Sequence, residues 1–145
     1  MSVLSEPGFK LAYEAVVDIA ERQNLGASAL GERFMVPILG GHFEGERLRG
    51  QVLPGGADRQ CLRPDRVKEL DALYEMQTDD GCVITVHNRV LIDEQAPGGR
   101  YARSAVQFKV SHPRYDWLQR RVFVGTLESL RPVRDAVKIR VFEVV

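Results

Sequence analysis

A chain of 145 residues with 44% hydrophobic and 28% charged residues has the composition of a folded globular protein and can bury roughly two thirds of its unfolded surface in one core. Twenty basic residues balance twenty acidic ones, which excludes a bulk polyanion-binding character and leaves nucleic acid and anionic membrane as poor partners. Sixteen of the twenty cations are arginines, residues that fork onto carboxylates and stack on rings.

Taken in order, the N-terminal MSVLSEPGFK has no basic stretch followed by an apolar run, and no segment approaches the length of a membrane span, so the expected location is cytoplasmic. Between Phe9 and Ile19 the odd positions Phe9, Leu11, Tyr13, Ala15, Val17 and Ile19 are apolar, the period of a strand with all six on one face. The polar, glycine-broken ERQNLGASALGE that follows suits a turn or a short helix. Arg33 to Leu39 is apolar but contains Pro37, which cannot donate to a ladder, so an edge or bulged strand is expected, ending at Gly40-Gly41.

Leu48 to Leu53 is a short strand leading to Pro54-Gly55-Gly56, a tight turn with Asp58 directly behind it. After the turn at Arg63-Pro64-Asp65-Arg66, Leu70 to Thr78 alternates, Thr78-Asp79-Asp80-Gly81 turns, and Cys82 to Val90 returns, giving the clearest hairpin. Residues 91–100 read as a surface connection. Short β runs follow at Ala105 to Val110, Val122 to Gly125 and Ala136 to Val144, interrupted by His112-Pro113-Arg114-Tyr115-Asp116-Trp117. Short strands separated by turn signals, with no long helix, predict an all-β, single-domain antiparallel barrel of calycin-like or allene-oxide-cyclase-like form over residues 1–145.

Cys61 and Cys82 lie 21 residues apart with no metal-ligand spacing around them, so two buried thiols are expected and no metal. The chain lacks a nucleophile elbow, a phosphate loop, a dinucleotide fingerprint and a zincin motif, and chemistry without a cofactor is the expectation.

The ordered motifs VPILGGHFEGERLRGQVLPGGAD, LDALYEMQTDDG, HNR, YDWLQRRVFVG and KIRVFEV resemble the bacterial and fungal proteins grouped as domain of unknown function 3237, over roughly Phe9 to Val144. The resemblance implies a small self-associating antiparallel barrel and brings no settled activity. Three positions depart from the family pattern: Arg59 stands where an aromatic, commonly tryptophan, follows the aspartate, Leu73 where arginine is frequent, and Val90 where glycine is. If that aromatic lines a pocket in relatives, Arg59 would here meet an anionic substituent.

Asp58 is the leading candidate for chemistry, since a carboxyl desolvated in a barrel mouth holds its proton closer to neutral pH. The competing reading is an aspartate that caps its own turn. Asn88 and Arg103 are placed as donors to a developing oxyanion, and Tyr74 as a phenolic donor to a carbonyl or else a core aromatic. Arg59, Asp71, Trp117, Phe123 and His42 are placed around the substrate, with Asp71 sharing a strand face with Glu75. For Trp117, core or subunit-interface packing is the stronger reading. The function expected is cofactor-independent acid–base chemistry, of isomerase, cyclase, lyase or hydratase type, on a small apolar or aromatic carbonyl-bearing metabolite. The alternatives are a small-molecule-binding barrel without turnover, or a structural subunit of a homo-oligomer.

Overall fold

The computed structural model describes residues 5–145 and contains ten strands and one 3-10 helix. The strands are β1 (Phe9–Ile19), β2 (Gln23–Ser28), β3 (Gly31–Glu44), β4 (Arg49–Val52), β5 (Ala57–Leu62), β6 (Lys68–Thr78), β7 (Val83–Asp93), β8 (Tyr101–Val110), β9 (Phe123–Ser129) and β10 (Ala136–Val144), with the helix at Pro113–Gln119 between β8 and β9. All pairings are antiparallel. The sheet runs β1-β10-β9-β8-β7-β6, continues through β4 and β5 to β3, and closes where β3 pairs back onto β1. Because β4 and β5 together occupy one position, the result is an eight-strand closed barrel, with β2 taking β1's place along the first half of β3. The helix is short, and no helix among the described residues is long and apolar enough to cross a membrane.

The period-two pattern folds as expected along β6, where Leu70, Ala72, Tyr74 and Met76 are buried inside, and the same period runs along β7 (Ile84, Val86, Val90, Ile92) and β8 (Ala102, Val106, Phe108, Val110), which extend into residues 91–93 and 101–104 beyond the expected strands. In β1 the expectation fails for two residues. A bulge between Leu11 and Tyr13 inserts Ala12, so Tyr13, Ala15 and Val17 point inward while Phe9, 66% exposed, and Leu11 lie on the outer face. The segment after β1 is strand β2, fully exposed and held by its ladder to β3 alone.

Strand β3 does not stop at Gly40-Gly41 but bends through both, at φ 150° and 138°. Its first half pairs with β2 and β5 and its second half with β1 and β4. Pro37 sits where the partner on one side of β3 changes from β2 to β1, so its missing N–H interrupts neither ladder. At Gly41 an added Cβ would lie 2.0 Å from the Val16 carbonyl oxygen, so the closing seam requires glycine on both steric and backbone grounds.

One end of the barrel is plugged by the helix. Tyr115 and Leu118 pack into the main apolar cluster with Tyr13, Phe43, Phe108 and Phe123, whose rings meet edge to face at centroid distances of 5.0 to 6.1 Å. Each such side chain contributes roughly 1.5–3 kcal/mol on burial. Asp80 in the β6–β7 turn ties the plug down, accepting hydrogen bonds from Thr78, from the Tyr115 hydroxyl at 2.8 Å and from Arg114 at 2.8 Å. The Thr78 and Tyr115 bonds, in that order, hold the Asp80 carboxyl below its ordinary value.

Gly41→Ala is expected to destabilise the barrel by about 3 kcal/mol or more, since both a backbone strain and a hard contact with Val16 are introduced. Urea unfolding of the two proteins at one pH measures it, and an unchanged midpoint would contradict the seam described here.

Candidate functional site

Cross-strand register sets Val36, Asp58, Ala72, Asn88, Val106 and Phe123 in one row across the inner wall. The next row carries Gln60, Leu70, Val90, Ser104, Gly125, Val141 and Tyr13. Together they form a polar belt of Asp58, Gln60, Asn88 and Ser104, met from the plugged side by Tyr13 and Tyr74. The belt lies between two separate apolar clusters, the main one at the plugged end and a smaller one of Leu70, Val90, Ile92 and Ala102 toward the other. Phe34 and Val36 are buried on the wall beside Asp58 and Gln60 but join neither cluster.

The Pro54-Gly55-Gly56 turn places Asp58. It interrupts the strand between Val52, opposite Met76, and Ala57, opposite Leu73, and a Cβ at residue 56 would lie 2.4 Å from the Tyr74 Cβ. Only glycine lets the chain pass so close over Tyr74, which brings Asp58 beside that ring. Asp58 is therefore a strand residue and not a turn cap. Its Oδ2 accepts a hydrogen bond from Gln60 Nε2 at 2.8 Å, while Oδ1 is sealed from solvent with no partner within the protein.

Burial raises the Asp58 carboxyl above its ordinary value, and the Gln60 bond opposes that rise only in part. Burial likewise pushes the phenols of Tyr74 and Tyr13 upward. Asp58 adds to the first shift and Tyr74 to the second, so the three groups share one electrostatic field. Both phenols stay protonated and serve as donors at any physiological pH. Two further oxygens are sealed without a partner within the protein, Tyr13 Oη and Asn88 Oδ1. Asn88 is 2% exposed and faces Asp58 across Ala72, whose methyl leaves a gap of two strand spacings, about 10 Å, between the two backbones.

The structure thus gathers Asp58, Asn88, Tyr74 and Phe123 on the inner wall and sends four other candidates outside. Arg59 and Asp71 alternate with Asp58 and Ala72 and face outward, exposed. Arg103 alternates with Ser104, donates to the Ala102 carbonyl oxygen at 2.8 Å and lies 5.7 Å from the Tyr101 ring, so it cannot serve an oxyanion beside Asp58. His42 is exposed on β3 between inward-facing Gly41 and Phe43. Asp71 pairs with His87 at 2.6 Å instead of sharing work with Glu75. Trp117 packs on Phe123 under the Arg47 guanidinium, 3.9 Å from its ring, and belongs to the plug. Tyr13, Gln60 and Ser104 were not singled out from the sequence. Gln60, two residues beyond Asp58 on one strand, was findable by alternation, whereas Ser104 joins the belt through the register of β5 to β8 and Tyr13 from the far side of the ring.

A closed antiparallel barrel with a belt of polar side chains across its interior defines the class. Within it, the chain belongs to the family described as "Protein of unknown function (DUF3237)", whose profile matches residues 7–144. It is 36% identical over 130 residues to a UPF0311 protein of Rhodopseudomonas palustris, covering 81% of this chain and 85% of that one. A crystal structure of a conserved protein of unknown function from Rhodopseudomonas palustris superposes with a TM-score of 0.88 at 34% identity, over 98% of this chain and 100% of the other. A β-barrel-like protein of Acinetobacter baumannii superposes at 0.90 and 28% identity over 100% of both. A structure described as an enzyme from Penicillium herquei reaches 0.77 at 22% identity, over 100% and 99%, a likeness of fold.

Two outcomes follow from the belt. With its carboxyl raised, folded protein holds the Asp58 proton more tightly than unfolded chain. That contribution is complete below the ordinary value of 3.8 and is lost as pH rises through the raised value. Asp58→Asn, which keeps the Gln60 bond, should therefore melt higher than the native protein at pH 7, with the gap closing in acid; parallel melts across pH measure it. Tyr13→Phe removes a hydroxyl with no partner within the protein and should be neutral or stabilising by up to about 1 kcal/mol, against the usual loss for a buried tyrosine.

Proposed function

We propose that this protein is a cofactor-independent acid–base enzyme acting on a small, largely apolar, carbonyl-bearing metabolite held against the polar belt inside the barrel. The observation that carries the reading is the set of three sealed, partnerless oxygens, Tyr13 Oη, Asp58 Oδ1 and Asn88 Oδ1, facing one interior. A buried polar atom left unpaired costs about 1–3 kcal/mol, and a catalytic role is one of the few reasons a folded protein keeps one.

Asp58 is the proton carrier. As carboxylate it takes a proton from the carbon next to the substrate carbonyl; the C–H electron pair moves onto the oxygen as an enolate, and the protonated carboxyl gives the proton back to carbon as the carbonyl re-forms. Isomerisation, cyclisation, elimination and hydration all pass through proton transfers of this kind. The raised carboxyl makes Asp58 a stronger base than an ordinary aspartate. Tyr74 and Tyr13, protonated, and the amide nitrogen of Asn88 are the donors available to the oxyanion. Phe123, in the same row, and Val36 close on the apolar body of the substrate. That the Penicillium herquei protein of this fold is described as an enzyme supports turnover on the scaffold.

A thermal-shift screen of small ketones, phenols and hydroxy acids, followed by proton NMR of each hit in deuterated water, tests this. Native protein is expected to catalyse exchange or conversion of at least one hit, and Asp58→Asn to lose it by about 100-fold or more. Ligands that bind both proteins with no exchange in either would make this a binding barrel, and equal rates in both would remove Asp58 from the chemistry.

A further inference from the structure

Beyond the polar belt the inner wall continues toward the unplugged end of the barrel. A further row there is Glu32, Leu62, Lys68, Ile92 and Ala102, set side by side by register. Lys68 shares the parity of Leu70, Ala72, Tyr74 and Met76, the residues of β6 that are buried inside, so its side chain leaves the backbone on the inner face. Ladder pairing on both sides, to Leu62 and to Ile92, fixes that starting point.

Lys68 is half-buried, and its neighbours on this wall are aliphatic, Leu62 and Ile92 beside it and Leu70 next along its own strand. It forms no ion pair among the described residues. Glu32, the acid of the same row, is exposed and stands two strand spacings away, about 10 Å between backbones. The ammonium is felt at the belt. Burial raises the Asp58 carboxyl most, and the charge of Lys68 is among the influences that pull it back down. A cation set among aliphatic side chains without a counter-ion is costly, and an anion supplied by a ligand removes that cost. One ammonium with no second cation in its row balances a single negative charge, which favours a carboxylate over a phosphate dianion.

We propose that Lys68 anchors an acidic group of the substrate, so that the interior site takes a carbonyl compound bearing a carboxylate at the end remote from the carbonyl. This rests on the acid–base reading for the reaction, while the anchoring is a matter of binding alone. From Leu62, opposite Lys68, to Asp58 is four residues of β5, a rise of about 14 Å, part of which the lysine stem spans. The remainder suits one aromatic ring or a short chain between carboxylate and carbonyl. The row between, Gln60, Leu70, Val90 and Ser104, is the wall against which that body lies. Neutralising the ammonium also removes its pull on Asp58, so the bound acid strengthens the base that acts on it.

The test is a calorimetric titration with two acids, 4-acetylbenzoate and 3-(4-acetylphenyl)propanoate, and with their methyl esters as uncharged controls. Saturable binding of at least one acid at one per chain, about tenfold or more tighter than its ester and weakened by salt, is the expected result. Lys68→Met should melt as the native protein does, bind the ester as before and lose the preference for the acid, and Lys68→Arg should restore it. Exchange of the acetyl methyl protons in deuterated water reports the chemistry separately, and Asp58→Asn should keep the acid preference while losing that exchange. A preference that vanishes in Lys68→Met, with no exchange by any of the proteins, would support the anchor and remove the acid–base reading. No saturable binding of either acid, equal affinity for acid and ester, or a preference that survives in Lys68→Met would each overturn the anchor, whether or not exchange is seen.

Discussion

The pairing of β3 with β1 is the contact on which the rest of this molecule depends. Eight strands in an open sheet would leave two unpaired edges and two solvated faces; closing the ring pairs those edges and creates an inside. The closure is made at Gly40-Gly41, where β3 bends sharply enough to leave β5 and β2 and lie against β4 and β1. A side chain at Gly41 would meet the β1 backbone. Once the seam is shut, the helix plug held by Asp80 seals one end, and the apolar faces of the strands become a shared core.

Closure also explains the balance of stability along the barrel axis. The plugged half is filled with aromatic rings in edge-to-face contact, and the smaller cluster at the other end is aliphatic. Between them the polar belt interrupts the core with groups that have lost water without gaining a full set of partners. A protein that maximised stability would place leucine or valine at positions 58 and 88. Retaining a carboxyl and an amide there, at a cost carried by the aromatic half, accords with the acid–base role proposed for them.

The same strands present two different chemistries on their two faces. Along β5 to β8 the even positions supply the belt, Asp58, Gln60, Asn88 and Ser104, and the odd positions place Arg59, Arg89 and Arg103 on the outer surface. A register shift by one residue would exchange them, turning guanidinium groups into the core, so the register that keeps the barrel folded also keeps the two surfaces apart. Among the family departures, Arg59 falls on the outer surface.

How much of this was legible in the sequence depends on which distances the chain alone sets. Alternation is a property of neighbouring residues, so β6, β7, β8 and the turn at Thr78 to Gly81 were readable, as were the all-β class and the burial of Tyr74 on the Leu70 face. The parity of Asp58, Arg59 and Asp71 was written in the same pattern, and it separates them into inside and outside once one face is known to be enclosed. What the pattern does not contain is the bulge at Ala12, which moves Phe9 and Leu11 outward, or the continuation of β3 through two glycines that read as a stop. Nor does it contain the meeting of Tyr13 with Tyr74 and Asp58, which are separated by 45 to 61 residues. Those depend on where a curved sheet closes on itself, and closure is decided by the summed twist of all the strands and the packing inside them. The sequence by itself determined which residues alternate and where the chain turns. Only the tertiary structure decided which face became the interior, because an inside exists only after the last strand has paired with the first.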